Sequence, residues 1–133
     1  MAVLDHVTLT VSAADFAARS AFYDAALGAL DLVRVAELVD EEEEDPAVEA
    51  VGWGPDHGAG VLWLVIGERP TAGLHVRLRA ESRAQVEAFH GAAVRAGGTE
   101  HAAPRRWVLY RRGEFNAIVA DPAGNLIEAV AAE

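Results

Sequence analysis

The chain has 133 residues, of which 52% are hydrophobic and 24% charged, and this composition predicts one compact folded domain over residues 1–133. Cysteine and lysine are both absent, which excludes disulfides, thiolate nucleophiles, Cys-based zinc sites and Schiff-base lysine chemistry. The net charge of −10 disfavours nucleic acid and anionic membranes as partners, and the lack of a long apolar run or a signal core predicts a cytoplasmic protein.

The charge is unevenly distributed along the chain. Residues 1–67 hold thirteen acids and two arginines, a balance of −11, whereas residues 68–133 hold eight acids and nine arginines, a balance of +1. A small anionic molecule is therefore compatible with the second half, although a polyanion is not.

The first half of the sequence predicts the element order βαβββ. Val3–Val11 alternates between apolar and polar residues, as a half-buried strand does, and places His6 on the polar face. Ser12 and Asp15 resemble a capping box for a helix that weakens at Gly28. Three more strands are predicted near residues 32–39, 48–53 and 61–67.

The second half predicts the same order. Leu74–Arg79 alternates like the first strand and places His75 on its polar face. Ser82 begins a second helix with a capping box, and Gly97-Gly98 supplies its left-handed stop. A type I turn at Asp121-Pro122-Ala123-Gly124 then leads into the last strand, residues 125–130.

An internal repeat relates the two halves. His6-Val7-Thr8-Leu9 is echoed by His75-Val76-Arg77-Leu78, and Ala21-Phe22-Tyr23 is echoed by Ala88-Phe89-His90. We therefore predict an α+β fold of two βαβββ modules, residues 1–67 and 72–133. Their mixed sheets are expected to curl into a cup, with the helices on the outer face.

Three residues that can bind a metal occupy related places in this pattern. His6 and His75 lie on the first strands of the two modules, and Glu128 lies on the last strand of the second. A single strand histidine is more often a hydrogen-bonded structural residue, but the repeat places two at equivalent positions. Two imidazoles and one carboxylate suit divalent Fe, Mn, Ni or Zn and leave coordination positions open.

Three segments carry a resemblance to a known family. Leu4-Asp5-His6-Val7-Thr8-Leu9, Gly73-Leu74-His75-Val76 and Asp121-Pro122-Ala123-Gly124-Asn125-Leu126-Ile127-Glu128 resemble the glyoxalase, bleomycin-resistance and extradiol-dioxygenase superfamily, also called the vicinal oxygen chelate superfamily. The resemblance covers nearly the whole chain, and its last segment is the most specific. It implies a divalent metal held by His6, His75 and Glu128.

The resemblance also implies a function. The expected protein is a metal-dependent enzyme of lyase or dioxygenase type whose metal acts as a Lewis acid on a small oxygenated organic substrate. It is expected to form a homodimer, in which the two halves of a site can lie on different chains. The predicted catalytic residues are Glu128 and Tyr110, and the predicted substrate contacts are Arg77, Arg105, Arg106 and Trp63.

Departures from the family pattern leave an alternative open. Glyoxalase enzymes of this superfamily use a fourth ligand, an acid on the last strand of the first module, where this sequence aligns Leu64. Lactoylglutathione lyase activity is therefore not expected. The alternative is a metal-free protein of the same fold that sequesters an antibiotic-type small molecule. The acidic run at residues 40–45 is predicted to be a solvated connector.

Overall fold

A computed structural model describes residues 2–109 and 112–132, and its elements follow the order βαβββ twice. By its contacts the chain divides into two units. The first unit is the chain up to Ser20 together with Asp31–Thr71, and the second is Ala21–Leu30 together with the chain from Ala72 onward. The predicted α+β class and the two βαβββ modules are confirmed. Neither described helix is long and apolar enough to cross a membrane.

The sheet of the first unit has the strand order β1-β4-β3-β2. The neighbours β1 and β4 are parallel, whereas β4 and β3, and β3 and β2, are antiparallel. Leucine and valine side chains on one face form its core, namely Leu9, Val11, Val51, Leu62 and Leu64. The four strands are β1 (Val7–Val11), β2 (Leu32–Val39), β3 (Val48–Pro55) and β4 (Leu62–Ile66).

The first strand begins later than the sequence predicts. β1 starts at Val7 rather than Val3, so His6 directly precedes the strand. The reason is that the sheet neighbour of β1 is β4, whose pairing starts at Leu62 opposite Val7. Val3 lies beyond that pairing and is exposed. Alternation of residues alone does not reveal where the partner strand ends.

The sheet of the second unit repeats this arrangement with the strand order β5-β8-β7-β6, in which β5 and β8 are parallel. The helix α2 packs against β6, β7 and β8 through Val86, Phe89 and Ala93, which are buried. The elements are β5 (His75–Arg79), α2 (Arg83–Arg95), β6 (Thr99–Leu109), β7 (Arg112–Ala120) and β8 (Leu126–Ala132).

The ends of α2 agree with the sequence signals. The Ser82 hydroxyl accepts a hydrogen bond from the Gln85 backbone N–H at 3.1 Å, which satisfies one of the free donors of the first turn. Gly97 has φ of +105°, the left-handed conformation that ends a helix. Gly98 serves a different purpose, because a Cβ there would lie 2.6 Å from Val119 Cγ1. The missing side chain at Gly98 allows Val119 to pack directly against the backbone there.

The helix α1 (Phe16–Gly28) helps to fix the turn that precedes β8. The buried Tyr23 hydroxyl donates to Asp121 Oδ2 at 2.6 Å. Asp121 Oδ1 accepts from the backbone N–H groups of Ala123 and Asn125, and Asn125 Oδ1 accepts from the Leu74 N–H at 3.0 Å. These bonds tie the turn to the start of β5. They therefore set the register in which β8 lies beside β5.

Candidate functional site

The register of the second sheet brings polar side chains onto one face. Arg77 on β5 lies opposite Glu128 on β8, so the two side chains share a face, and His75 joins them two residues earlier. On β7 the partner of Glu128 is Ile118, and the alternation of the strand puts Asn116 and Glu114 on the same face. Five polar or charged side chains thus meet on this surface.

Glu128 is the centre of this cluster. Its side chain is 4% exposed, yet both carboxylate oxygens are engaged. Oε2 accepts hydrogen bonds from Arg77 Nε and Asn116 Nδ2, each at 2.9 Å, and Oε1 lies 2.8 Å from His75 Nε2. Burial acts to raise the pKa of Glu128, but the hydrogen bonds from Asn116, Arg77 and His75 outweigh it and lower the pKa. Glu128 is therefore ionised at neutral pH.

Arg77 bridges two carboxylates. Besides its bond to Glu128, it donates from Nη2 to Glu114 Oε2 at 2.6 Å. Partial burial acts to lower the pKa of Arg77, and the bonds to Glu128 and Glu114 raise it overall. The guanidinium compensates one of the two negative charges, so one remains on the cluster.

His75 is the most exposed member of the cluster. Its side chain is 45% exposed, whereas Glu128 lies beneath it. The carboxylate is held from one side at Oε2 and faces the imidazole with Oε1. This is the pattern of a ligand whose outer hydrogen bonds fix its orientation. The donor pair fits a divalent metal that takes His75 Nε2 and Glu128 Oε1.

The two arginines of β6, Arg105 and Arg106, lie on opposite faces of the sheet. Arg105 lies opposite Asn116 and therefore shares the face of Glu128. Arg106 lies opposite Phe115, whose ring contacts Arg83 at the start of α2, so Arg106 is on the helix-covered face. The sequence predicted both as substrate contacts. The structure places Arg105 on the site face. Tyr110, the other predicted catalytic residue, lies outside the described residues.

Trp107 is a residue of this face that the sequence analysis did not place in the site. The Arg105 guanidinium carbon lies 4.1 Å from the centre of the Trp107 ring, a cation–π contact, and the Trp107 residue is 42% exposed. The sequence signal that could have found it is its position two residues after Arg105, because residues two apart on a strand share a face. Glu114 and Asn116 were also missed, because their role follows from pairing with β8, which the sequence does not show.

In the first unit, His6 lies at the edge of a pocket. Its Nδ1 is 2.6 Å from Asp5 Oδ1, its side chain is 43% exposed, and its ring meets Trp63 edge to face at 6.4 Å between centroids. The pocket has a volume of about 400 Å³. Its lining residues are Asp5, His6, Thr8, Leu38, Ala59, Gly60, Trp63 and Val65.

The position of a fourth ligand is occupied by Trp63 rather than Leu64. In the second unit Glu128 pairs with the residue two places after His75, and in the first unit the residue two places after His6, Thr8, pairs with Trp63. Leu64 is buried on the opposite face. The sequence alignment was offset by one residue, which exchanges the two faces of a strand. The consequence for ligation is unchanged, since neither side chain binds a metal.

A further group of carboxylates lies in and beside the acidic run. Oxygens of Asp40, Glu43 and Glu49 lie within 4.8 Å of one another, and all three residues are exposed. Glu42 N–H donates to Asp40 Oδ1, so part of this geometry is a local turn. Exposed acidic groups of this kind are common without an ion.

Comparison with known proteins identifies the family. Residues 7–130 match the profile of a family described as a glyoxalase-like domain. No curated protein sequence matches the chain significantly. Among solved structures, a glyoxalase/bleomycin resistance protein from Albidiferax ferrireducens T118 is 26% identical, with 95% of this chain and 96% of that chain covered and a TM-score of 0.76.

Two more distant structures share the fold alone. A glyoxylase/bleomycin resistance protein/dioxygenase domain from Frankia sp. EAN1pec is 15% identical, with 100% of this chain and 93% of that chain covered and a TM-score of 0.68. A lactoylglutathione lyase from Agrobacterium tumefaciens is 19% identical, with coverages of 98% and 96% and a TM-score of 0.61. With the profile match over residues 7–130, the chain belongs to the glyoxalase-like domain family, in the vicinal oxygen chelate superfamily.

Proposed function

We propose that this protein is a metal-dependent enzyme that acts on a small oxygenated organic substrate, with His75 and Glu128 as metal ligands and His6 as the further ligand that the family resemblance implies. The observation that carries the proposal is the pair formed by His75 Nε2 and Glu128 Oε1, 2.8 Å apart on neighbouring parallel strands. These two atoms are metal donors of complementary kinds, one neutral nitrogen and one anionic oxygen.

The hydrogen bonds around Glu128 support this role. Asn116 and Arg77 both bind Oε2, which keeps the carboxylate ionised and oriented while Oε1 faces His75. When bound, a divalent Fe, Mn, Ni or Zn ion would supply Lewis acidity toward vicinal oxygens of the substrate. Glu128 would contribute a buried negative charge that strengthens metal binding.

Substrate binding is assigned to the accessible part of the same face. Arg105 is held over Trp107, and its exposed guanidinium can bind a carboxylate or another anionic group. Arg77 is engaged by two carboxylates, so within this proposal it orients Glu128. We also propose that the protein is a homodimer, because βαβββ sheets commonly pair across a twofold axis. Its proposed location is the cytoplasm.

A metal-free binding protein is the second candidate. The observation that favours it is Arg77, whose guanidinium already compensates Glu128 at 2.9 Å and opposes a second cation. In that case, substitution of His6 and His75 by alanine leaves the affinity for an antibiotic-type ligand intact. The enzyme proposal expects both substitutions to abolish turnover.

Metal binding tests the proposal directly. Protein purified without chelators is analysed for metal content, and metal-free protein is titrated calorimetrically with Fe²⁺, Mn²⁺, Ni²⁺, Zn²⁺ and Co²⁺. We expect near-stoichiometric binding of at least one ion and a loss of affinity of about tenfold or more in His75→Ala and Glu128→Gln.

The chain offers a matched control for these variants. His90 Nε2 lies 2.6 Å from Glu100 Oε2, a histidine–glutamate pair of the same kind that lies between α2 and β6. His90→Ala should leave metal affinity unchanged. Occupancy near zero with every ion, or an equal loss in His90→Ala, would refute the metal site.

A further inference from the structure

The pocket of the first unit is mostly apolar, unlike the charged cluster around Glu128. Trp63, Leu38 and Val65 give it apolar walls, and its volume of about 400 Å³ lies in the range of small-molecule sites. Thr8 and Asp5 add polar atoms beside His6. A few polar groups in a mostly apolar pocket are typical of a site for an organic ligand.

Two glycines hold the Trp63 ring in place. A Cβ at Gly52 would lie 2.7 Å from Trp63 Cε2, and a Cβ at Gly60 would lie 2.8 Å from Trp63 Nε1. The indole therefore lies directly against the backbone at two points where any larger residue would displace it. Because the ring is fixed before a ligand arrives, stacking on it costs little conformational entropy.

In the metal-free protein, the formal charges of the first unit disfavour an anion in the pocket. Among the lining residues that the structure describes, Asp5 is the acid and no arginine is present. Arg34 binds Glu37 at 3.2 Å and stacks on Trp53, while Arg19 is buried. These are the two arginines of residues 1–67, which also hold thirteen acids. These formal charges favour a neutral or cationic ligand, and a cation over an indole face gains a further attraction.

We propose that this pocket is a substrate subsite that binds a planar aromatic ring, uncharged or cationic, against Trp63. The inference rests on the proposed function, because His6 at the edge of the pocket is one of the proposed metal ligands. It adds the substrate class: an aromatic compound whose ring is not anionic.

Three matched ring probes test the charge preference on metal-free protein by calorimetric titration. They are 2-naphthalenemethanol, the (2-naphthylmethyl)trimethylammonium ion and 2-naphthoate. We expect the neutral and cationic probes to bind about tenfold or more tightly than 2-naphthoate, in line with the cost of placing like charges together. Equal or tighter binding of 2-naphthoate would overturn the proposal.

Variants test the role of the ring. Trp63→Leu should weaken the neutral probe by about tenfold or more, and Gly60→Ala should do the same by displacing an intact indole. Val94→Ala trims an exposed apolar side chain of α2 and should leave binding unchanged. Full affinity in Trp63→Leu would overturn the inference, and the ranking of the three probes on the wild type decides independently of how the variants fold.

A separate metal titration distinguishes this inference from the proposed function. Ni²⁺ and Zn²⁺ should bind Trp63→Leu as they bind the wild type, since Trp63 is not a ligand. Ring binding without metal binding would refute the metal site and leave the aromatic subsite standing. Metal binding without ring binding would refute the subsite alone.

Discussion

Replacing Arg77 by methionine measures how much its hydrogen bond to Glu128 contributes to the stability of the protein. The substitution keeps an unbranched, flexible side chain and removes the guanidinium that donates to Glu128 Oε2 at 2.9 Å. A hydrogen bond to a charged group contributes about 1.5–3 kcal/mol. The Arg77 side chain is 37% exposed, so water and screening reduce the loss, and we expect about 2 kcal/mol of destabilisation at pH 7. For a chain of this size that corresponds to a Tm lower by about 8 °C.

The pH dependence of this loss has a definite sign. The pKa of Glu128 is held below its ordinary value of 4.5, so the ionised carboxylate stabilises the native state above that value. This contribution is lost as the pH falls through the native pKa. Arg77→Met raises the pKa of Glu128 toward its ordinary value, so the variant and the wild type should differ fully at pH 7 and progressively less below pH 4.5.

Urea unfolding at several pH values measures the effect, and a double-mutant cycle assigns it. In a Glu128→Gln background, Arg77→Met should cost less than in the wild-type background, and the cost that remains reports the lost bond to Glu114. The same destabilisation in both backgrounds, or at pH 3 as at pH 7, would refute the assignment to Glu128.

Two further predictions concern the packing that supports the site. Tyr23→Phe removes the 2.6 Å hydrogen bond to the buried Asp121 carboxylate and should destabilise the protein by about 2 kcal/mol in urea unfolding, and a cost below about 0.5 kcal/mol would contradict that role. Gly98→Ala places a Cβ 2.6 Å from Val119 Cγ1 and should cost about 1–3 kcal/mol, whereas Gly28→Ala, with no neighbour within 4 Å, should stay within about 0.5 kcal/mol in the same assay.

Local signals in the sequence were sufficient for the architecture. The alternation around His75, the capping box at Ser82 and the glycine stop at Gly97 each depend on neighbours within a few residues. The repeat then predicted two modules of the same order, and both sheets have the corresponding strand order. The start of β1 was missed, because a strand ends where its partner ends.

The contact between His75 and Glu128 was predictable from the sequence, and its surroundings were not. His75 and Glu128 were recognised from the repeat and the family resemblance, and the structure brings them to 2.8 Å. Asn116 and Glu114 were missed because β7 has an apolar and polar alternation like other strands. Their contact with Glu128 and Arg77 depends on which residues of β7 lie opposite β8.

By itself, the sequence determined the βαβββ repeat, the polar faces of the first strands of the two modules and the turn at Asp121 that starts β8. The tertiary structure decided the register between strands that are distant in the chain. It placed Arg105 on the site face and Arg106 behind it, and it put Trp63 instead of Leu64 at the position equivalent to Glu128. The physical reason is the two-residue period of a strand: an offset of one residue, invisible in composition, turns every side chain to the other face.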